Sequence, residues 1–139
     1  MKKRALFLCT HNSCRSQMAE GLLNHYLGDR FEAFSAGTEA TRVNPLAIQV
    51  MSELGIDISR HHSKTLDQFA GQKFDYVITL CGSASEQCPL FFGGVQRVHI
   101  GFDDPSLLSG PPEEVLHEFR RVRDDIRRKL TDYLTGADR

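Results

Sequence analysis

The chain has 139 residues, with 17 Lys and Arg against 18 Asp and Glu and a formal net charge of −1. That balance supplies no electrostatic footprint for nucleic acid or an anionic membrane, so neither is expected as a partner. The length suits one domain with its own core, expected to span residues 1–139 without disulfide or metal staples.

Met1-Lys2-Lys3-Arg4 followed by Ala5-Leu6-Phe7-Leu8 has the outline of a secretory leader. The apolar run is too short for one, and polar Thr10-His11-Asn12 follow at once, so it reads as a buried parallel strand. No stretch approaches the length of a membrane span. The expected location is cytoplasmic, where thiols stay reduced, so Cys9, Cys14, Cys81 and Cys88 are not expected to be structural bridges. Buried small hydrophobes are the plain alternative for such cysteines, above all for Cys14.

From Gln17 to Leu27, Met18, Ala19, Leu22, Leu23 and Tyr26 recur at helical spacing, and Gly28 supplies a stop. Phe31 to Ser35 reads as a second strand, ending in turn-prone Ala36-Gly37. Asn44-Pro45 is a helix start, a capping side chain followed by proline at the first helical position. Ala47, Ile48, Met51 and Leu54 line that helix, and Gly55 closes it. Tyr76 to Leu80 and Arg97 to Ile100 read as strands. After Gly110-Pro111-Pro112 comes a long helix with Val115, Leu116, Phe119, Val122, Ile126, Leu130 and Leu134 as its buried stripe. Its Arg- and carboxylate-rich face reads as solvated.

Strands alternating with helices predict an α/β, three-layer sandwich around a four-stranded parallel sheet. Ligands in such folds bind beyond the carboxyl ends of the strands. Cys9 falls at the first such end, Cys81 at the third, and Asp103-Asp104 just after the fourth.

A loop that leaves a strand and enters a helix gathers backbone N–H groups into a concavity suited to an anion. Arg15 adds a planar fork of donors, and Ser13 and Ser16 can offer hydroxyls to the loop, the anion or Cys9. The same positive field favours the thiolate form of a cysteine, which is the nucleophilic form. The loop is therefore expected to hold a tetrahedral oxyanion against a nucleophilic Cys9. A strand-to-helix turn can also carry Cys, Ser and Arg by chance.

The stretch CTHNSCRSQMAEG resembles the phosphate-binding loop of the low-molecular-weight protein tyrosine phosphatase superfamily, and more closely its thioredoxin-coupled arsenate reductases. The resemblance continues through SAGTEATRVNPLAIQVMSELGIDIS, VITLCGSASEQCP, GFDDPS and FRRVRDDI, over nearly the whole chain. It implies a flavodoxin-like sheet, with Cys9 as nucleophile and Thr10, His11, Asn12, Ser13, Cys14, Arg15 and Ser16 as the oxyanion-binding loop. Arg15 is then the oxyanion clamp. Asp104, before Pro105, matches the general acid, although the sequence alone does not separate it from Asp103.

Cys81 and Cys88 discriminate among relatives. A phosphatase has no use for them, whereas reduction of arsenate to arsenite takes two electrons, which two thiols closing to one disulfide provide. The implied sequence is attack by Cys9 on arsenate, attack by Cys81 on the Cys9 adduct, then attack by Cys88 on Cys81, with thioredoxin restoring the dithiol. Two helical turns between Cys81 and Cys88 would span about 10 Å, and a disulfide needs Cα atoms within about 7 Å. An adjustable segment is therefore expected there. Zinc is disfavoured by the spacing, and no metal or other cofactor is expected.

Two departures from the relatives stand out. His11 sits where many of them carry glycine, a residue that could serve a positive φ; His tolerates such angles better than most side chains, so the loop can survive, with His11 an added donor or a bystander at its rim. Lys64 stands where an acidic ligand of a potassium ion is expected, beside Asn12, Glu20 and Ser35. The ammonium is predicted to pair with Glu20 and to make potassium unnecessary. Cys14 reads as a packing residue, with a vicinal Cys9–Cys14 disulfide as the alternative. Ser106 replaces an aromatic residue of the phosphatases. Three readings stay open: an arsenate reductase drawing on thioredoxin, a low-molecular-weight phosphatase, and a non-catalytic oxyanion-binding redox sensor. A monomer is expected in each.

Overall fold

The computed structural model describes residues 2–82 and 94–136. Four strands, β1 (Lys3–Leu8), β2 (Phe31–Ala36), β3 (Phe74–Thr79) and β4 (Gly94–His99), form one parallel sheet in the order β2-β1-β3-β4. After β1 the chain moves outward to β2, then returns to pair β3 on the other side of β1. The gap between the carboxyl ends of β1 and β3 is therefore the topological switch point, where a crevice opens in such sheets. Leu8 is level with Ala36 on one side and with Thr79 on the other. Cys9 thus leaves the sheet beside Leu80 and Cys81.

Side chains alternate across the sheet, and the two faces bury different clusters. Ala5, Phe7, Tyr76 and Ile78 pack with the apolar stripes of α1 (Arg15–Tyr26), α2 (Pro45–Ser52) and α3 (Pro112–Gly136). Leu6, Leu8, Ala36 and Val77 pack on the opposite face with Phe69, from the 3₁₀ turn Leu66–Phe69, and Phe74 at the start of β3 joins that cluster. Asn44 caps α2 as expected, its Oδ1 accepting from Leu46 N at 2.8 Å.

α1 begins at Arg15, two residues before the apolar periodicity sets in, because Arg15, Ser16 and Gln17 are buried polar residues that this periodicity does not reveal. One expectation needs correction: the charged face of α3 is not wholly solvated. Arg123 is buried and donates to Val50 O and to Glu53 Oε1, each at 2.8 Å, tying α3 to α2.

Residues 83–93 lie outside the described residues, so Cys88 and the expected adjustable segment between Cys81 and Cys88 do too. No helix among the described residues is long and apolar enough to cross a membrane.

Candidate active site

The segment from Cys9 to Cys14 wraps a small pocket. Cys9, His11, Ser13, Cys14 and Arg15 line one side of it, with Asp104 and Ser106 opposite. Four successive carbonyls of the loop, from Thr10 to Ser13, are engaged by groups beyond it. Thr10 O accepts from Thr38 N and Glu39 N, His11 O from Ser63 Oγ, Asn12 O from Gln17 Nε2, and Ser13 O from Asn44 N. In a trans peptide the N–H points away from its carbonyl. Fixing four successive carbonyls outward therefore turns the N–H groups of His11, Asn12, Ser13 and Cys14 toward the loop interior, an anion-binding nest at the mouth of α1.

The left-handed turn that this wrapping requires falls on Asn12 (φ 49°), the one non-glycine residue with positive φ among the described residues, and not on His11. Asparagine tolerates that region because its short amide bonds locally. Here Asn12 Oδ1 accepts from Lys64 N at 2.7 Å and from Gln17 Nε2 at 2.8 Å, while its Nδ2 donates to Ser16 Oγ at 2.8 Å. Ser16 Oγ lies 2.8 Å from Cys9 Sγ. The buried asparagine thus locks the loop and orients the hydroxyl that touches the sulfur. His11 is half-exposed at the rim, 3.4 Å from Glu39.

The buried Arg15 guanidinium reaches across the crevice. It lies 3.4 Å from Leu80 O, 3.3 Å from Phe102 O and 3.5 Å from Asp104 Oδ2. Through these contacts the anion loop touches the residue before Cys81 and the segment before Asp103. The two aspartates separate cleanly. Asp104 lines the pocket and is held by Ser106 N and Ser106 Oγ, whereas Asp103 is turned to solvent against Arg121.

Cys9 and Cys14 are free thiols, both buried. Burial first, then the nearby Asp104 and Cys9, push the Cys14 thiol up to about 12, as suits a packing residue. Cys81 is disulfide-bonded, with neither Cys9 nor Cys14 as its partner.

Behind the loop, Lys64 Nζ lies 3.7 Å from Glu20 Oε1, Ser35 Oγ donates to the same oxygen at 2.7 Å, and His61 Nδ1 is 3.3 Å from Oε2. The ammonium thus pairs with Glu20 as expected, and it also donates to His62 O at 2.8 Å. Among the described residues no cluster of three or more His, Cys, Asp or Glu side chains is arranged to hold a metal ion.

The sequence reading missed the scaffold behind the loop. Gly37 lies against it so closely that a Cβ there would sit 2.6 Å from Thr10 O and 2.7 Å from Cys9 O. A glycine at the end of the strand beside β1 was the available signal.

A buried cysteine beside a main-chain anion nest, backed by an arginine and faced by an aspartate, defines a class of oxyanion-handling catalysts. The chain belongs to the low molecular weight phosphotyrosine protein phosphatase family, which it matches over residues 4–139. Among its relatives, the arsenate reductase of Halalkalibacterium halodurans is 52% identical over 132 residues, 95% of each chain. A solved arsenate reductase in the phosphate binding state superposes with a TM-score of 0.78 at 33% identity, covering 98% of both chains. A thioredoxin-dependent arsenate reductase of Corynebacterium glutamicum does so with a TM-score of 0.64 at 30% identity, spanning 97% of this chain and 63% of that one.

Proposed function

We propose that the protein reduces arsenate to arsenite, with Cys9 as nucleophile and thioredoxin as electron donor. One observation carries this beyond the family's phosphatase chemistry. A second cysteine, Cys81, disulfide-bonded in this structure, stands at the same switch point as Cys9, just past the end of the adjacent strand, with Leu80 N donating to Leu8 O at 2.9 Å. Ester hydrolysis would need only Cys9, Arg15 and Asp104.

The loop N–H groups and Arg15 hold the oxyanion, an arrangement supported by the related reductase solved with phosphate. Cys9 Sγ, oriented by Ser16, attacks arsenic, and one arsenate oxygen leaves as water with a proton from Asp104. Cys81 thiolate then attacks the Cys9 sulfur. The S–S bond forms, the S–As bond breaks, and its electron pair stays on arsenic, which departs as arsenite. Cys88 next attacks Cys81, freeing Cys9, and the Cys81–Cys88 disulfide is reduced by the thioredoxin dithiol, itself oxidised to a disulfide. The thioredoxin-dependent relative supports that choice of donor. The whole cycle is assigned to one domain.

The test is steady-state arsenite production with thioredoxin, thioredoxin reductase and NADPH. Many turnovers per protein are expected, abolished by Cys81→Ser. Full cycling of Cys81→Ser, or turnover indifferent to thioredoxin, would overturn the proposal.

A further inference from the structure

The anion pocket is rimmed by a pair of side chains that the thiol relay does not use. His11 lines the pocket, and its Nδ1 lies 3.4 Å from Glu39 Oε2. We propose that this pair is an electrostatic gate for divalent tetrahedral oxyanions, an imidazole whose protonation cancels the Glu39 carboxylate at the pocket mouth; this rests on the oxyanion reading of the site above.

The backbone holds the two residues together. Thr10 O accepts from Thr38 N at 3.0 Å and from Glu39 N at 3.1 Å, and His11 O accepts from Ser63 Oγ at 2.9 Å. Both peptide planes that flank His11 are thus pinned, and the main chain of Glu39 is bound to one of them. The side chains stay open to water, 49% exposed at His11 and 67% at Glu39, whereas Arg15 is buried beneath the rim.

Other charged groups face the same region. Cys9 and Arg15 lie in the pocket with Asp104 opposite. Arg42 follows Thr41, whose hydroxyl lies 3.4 Å from His11 O, and His62 and Lys64 flank Ser63. Imidazole is the side chain whose charge ordinarily changes between pH 5 and 8. His62 is the second imidazole here, and comparing variants at one pH cancels its contribution.

With His11 protonated, the pair is neutral. With His11 neutral, the carboxylate stands alone and opposes an incoming dianion. A unit charge acting on a dianion within about one Debye length changes affinity roughly two- to fivefold at low salt. This needs no contact between imidazole and anion, and it acts on binding rather than on the chemical step.

The test measures binding of sulfate, a tetrahedral dianion at every pH used, by calorimetry at pH 5.5 and 8.5 and low ionic strength. His11→Gln should weaken binding about threefold at pH 5.5 and leave it unchanged at pH 8.5. Glu39→Gln should tighten it about threefold at both. High salt should erase both effects. With arsenate, the changes should appear in KM while kcat stays within about twofold of wild type. A pH-independent loss in His11→Gln, or unchanged or weaker binding in Glu39→Gln, would overturn the gate. Glu39 is exposed, so its variant leaves the core undisturbed. Sulfate binding needs no redox chemistry, so the expected sulfate pattern without arsenite production would sink the arsenate-reductase reading alone.

Discussion

Gly37→Ala perturbs the anion loop from behind without touching a reacting group. The added methyl would lie 2.6 Å from Thr10 O, 2.7 Å from Cys9 O and 2.9 Å from Asn12 N. Ordinary contacts of this kind are roughly 3.4 Å or longer, so backbone on one side must retreat by roughly 0.5–1 Å. All three neighbours are main chain, and none can swing away as a side-chain tip could. On the far side, Gly37 N donates to Lys64 O and Gly37 O accepts from Leu66 N, which hold the glycine in place. The loop therefore moves. A misplacement near 1 Å costs on the order of 100-fold in rate, so kcat/KM should fall about 30- to 100-fold, or about 2–3 kcal/mol of transition-state stabilisation. Overpacking should also lower stability by about 1–3 kcal/mol. Activity is to be measured well below the melting transition, alongside phosphate binding by calorimetry. Gly55→Ala is the control, because Gly55 has φ +77° but nothing within 4 Å of its Cβ position. It should lose stability while keeping kcat/KM. A Gly37→Ala protein with wild-type kcat/KM and phosphate affinity would refute the claim that this glycine shapes the loop.

Three further outcomes are expected. The Arg120 hydrogen bonds, followed by those of Arg123, hold the Glu53 carboxyl below its usual range. That pairing stabilises the fold above the ordinary glutamate pKa and is lost as pH falls through the lowered value. The stability gap between wild type and Glu53→Gln, measured by urea unfolding, should be constant at neutral pH and shrink below about pH 4. For Cys14, pushed up to about 12, the sign reverses. Its protonated form stabilises the fold below the unfolded thiol value near 9, and this is lost as pH climbs toward 12; Cys14→Ala should show a shallower alkaline decline in Tm. Lys64 beside Glu20 predicts turnover that changes less than about twofold when potassium replaces sodium at fixed ionic strength. A steep rise with potassium would contradict that placement.

Strand and helix identities were legible because buried runs and apolar stripes repeat with the period of their element. Asn44-Pro45 worked as a start signal because capping chemistry is local. The lining of the anion loop was legible for a similar reason, since consecutive residues from Cys9 to Ser16 build it. What holds the loop was not. Gly37, Thr38, Asn44, Ser63 and Lys64 meet it only after β2 and the following segment fold back, and although Gly37, Asn44 and Lys64 carry local signals of their own, none of those signals points to the loop. His11 and Asn12 show the limit at single-residue scale. The departure from glycine drew attention to His11, but the left-handed turn falls where an amide can bond both Lys64 N and Gln17. Asp103 and Asp104 are adjacent and chemically identical, and only the turn at Pro105 sends one to the pocket and the other to Arg121. Arg123 looked like one more solvated charge because Val50 O and Glu53 are far away in sequence.

The central claim, that two sulfurs at one switch point pass electrons to a bound oxyanion, is tested most directly by mass spectrometry of reduced Cys88→Ser after addition of arsenate without thioredoxin. One arsenite per protein and a Cys9–Cys81 disulfide are predicted. Repeated turnover, or no arsenite with Cys9 and Cys81 both remaining thiols, would contradict the account.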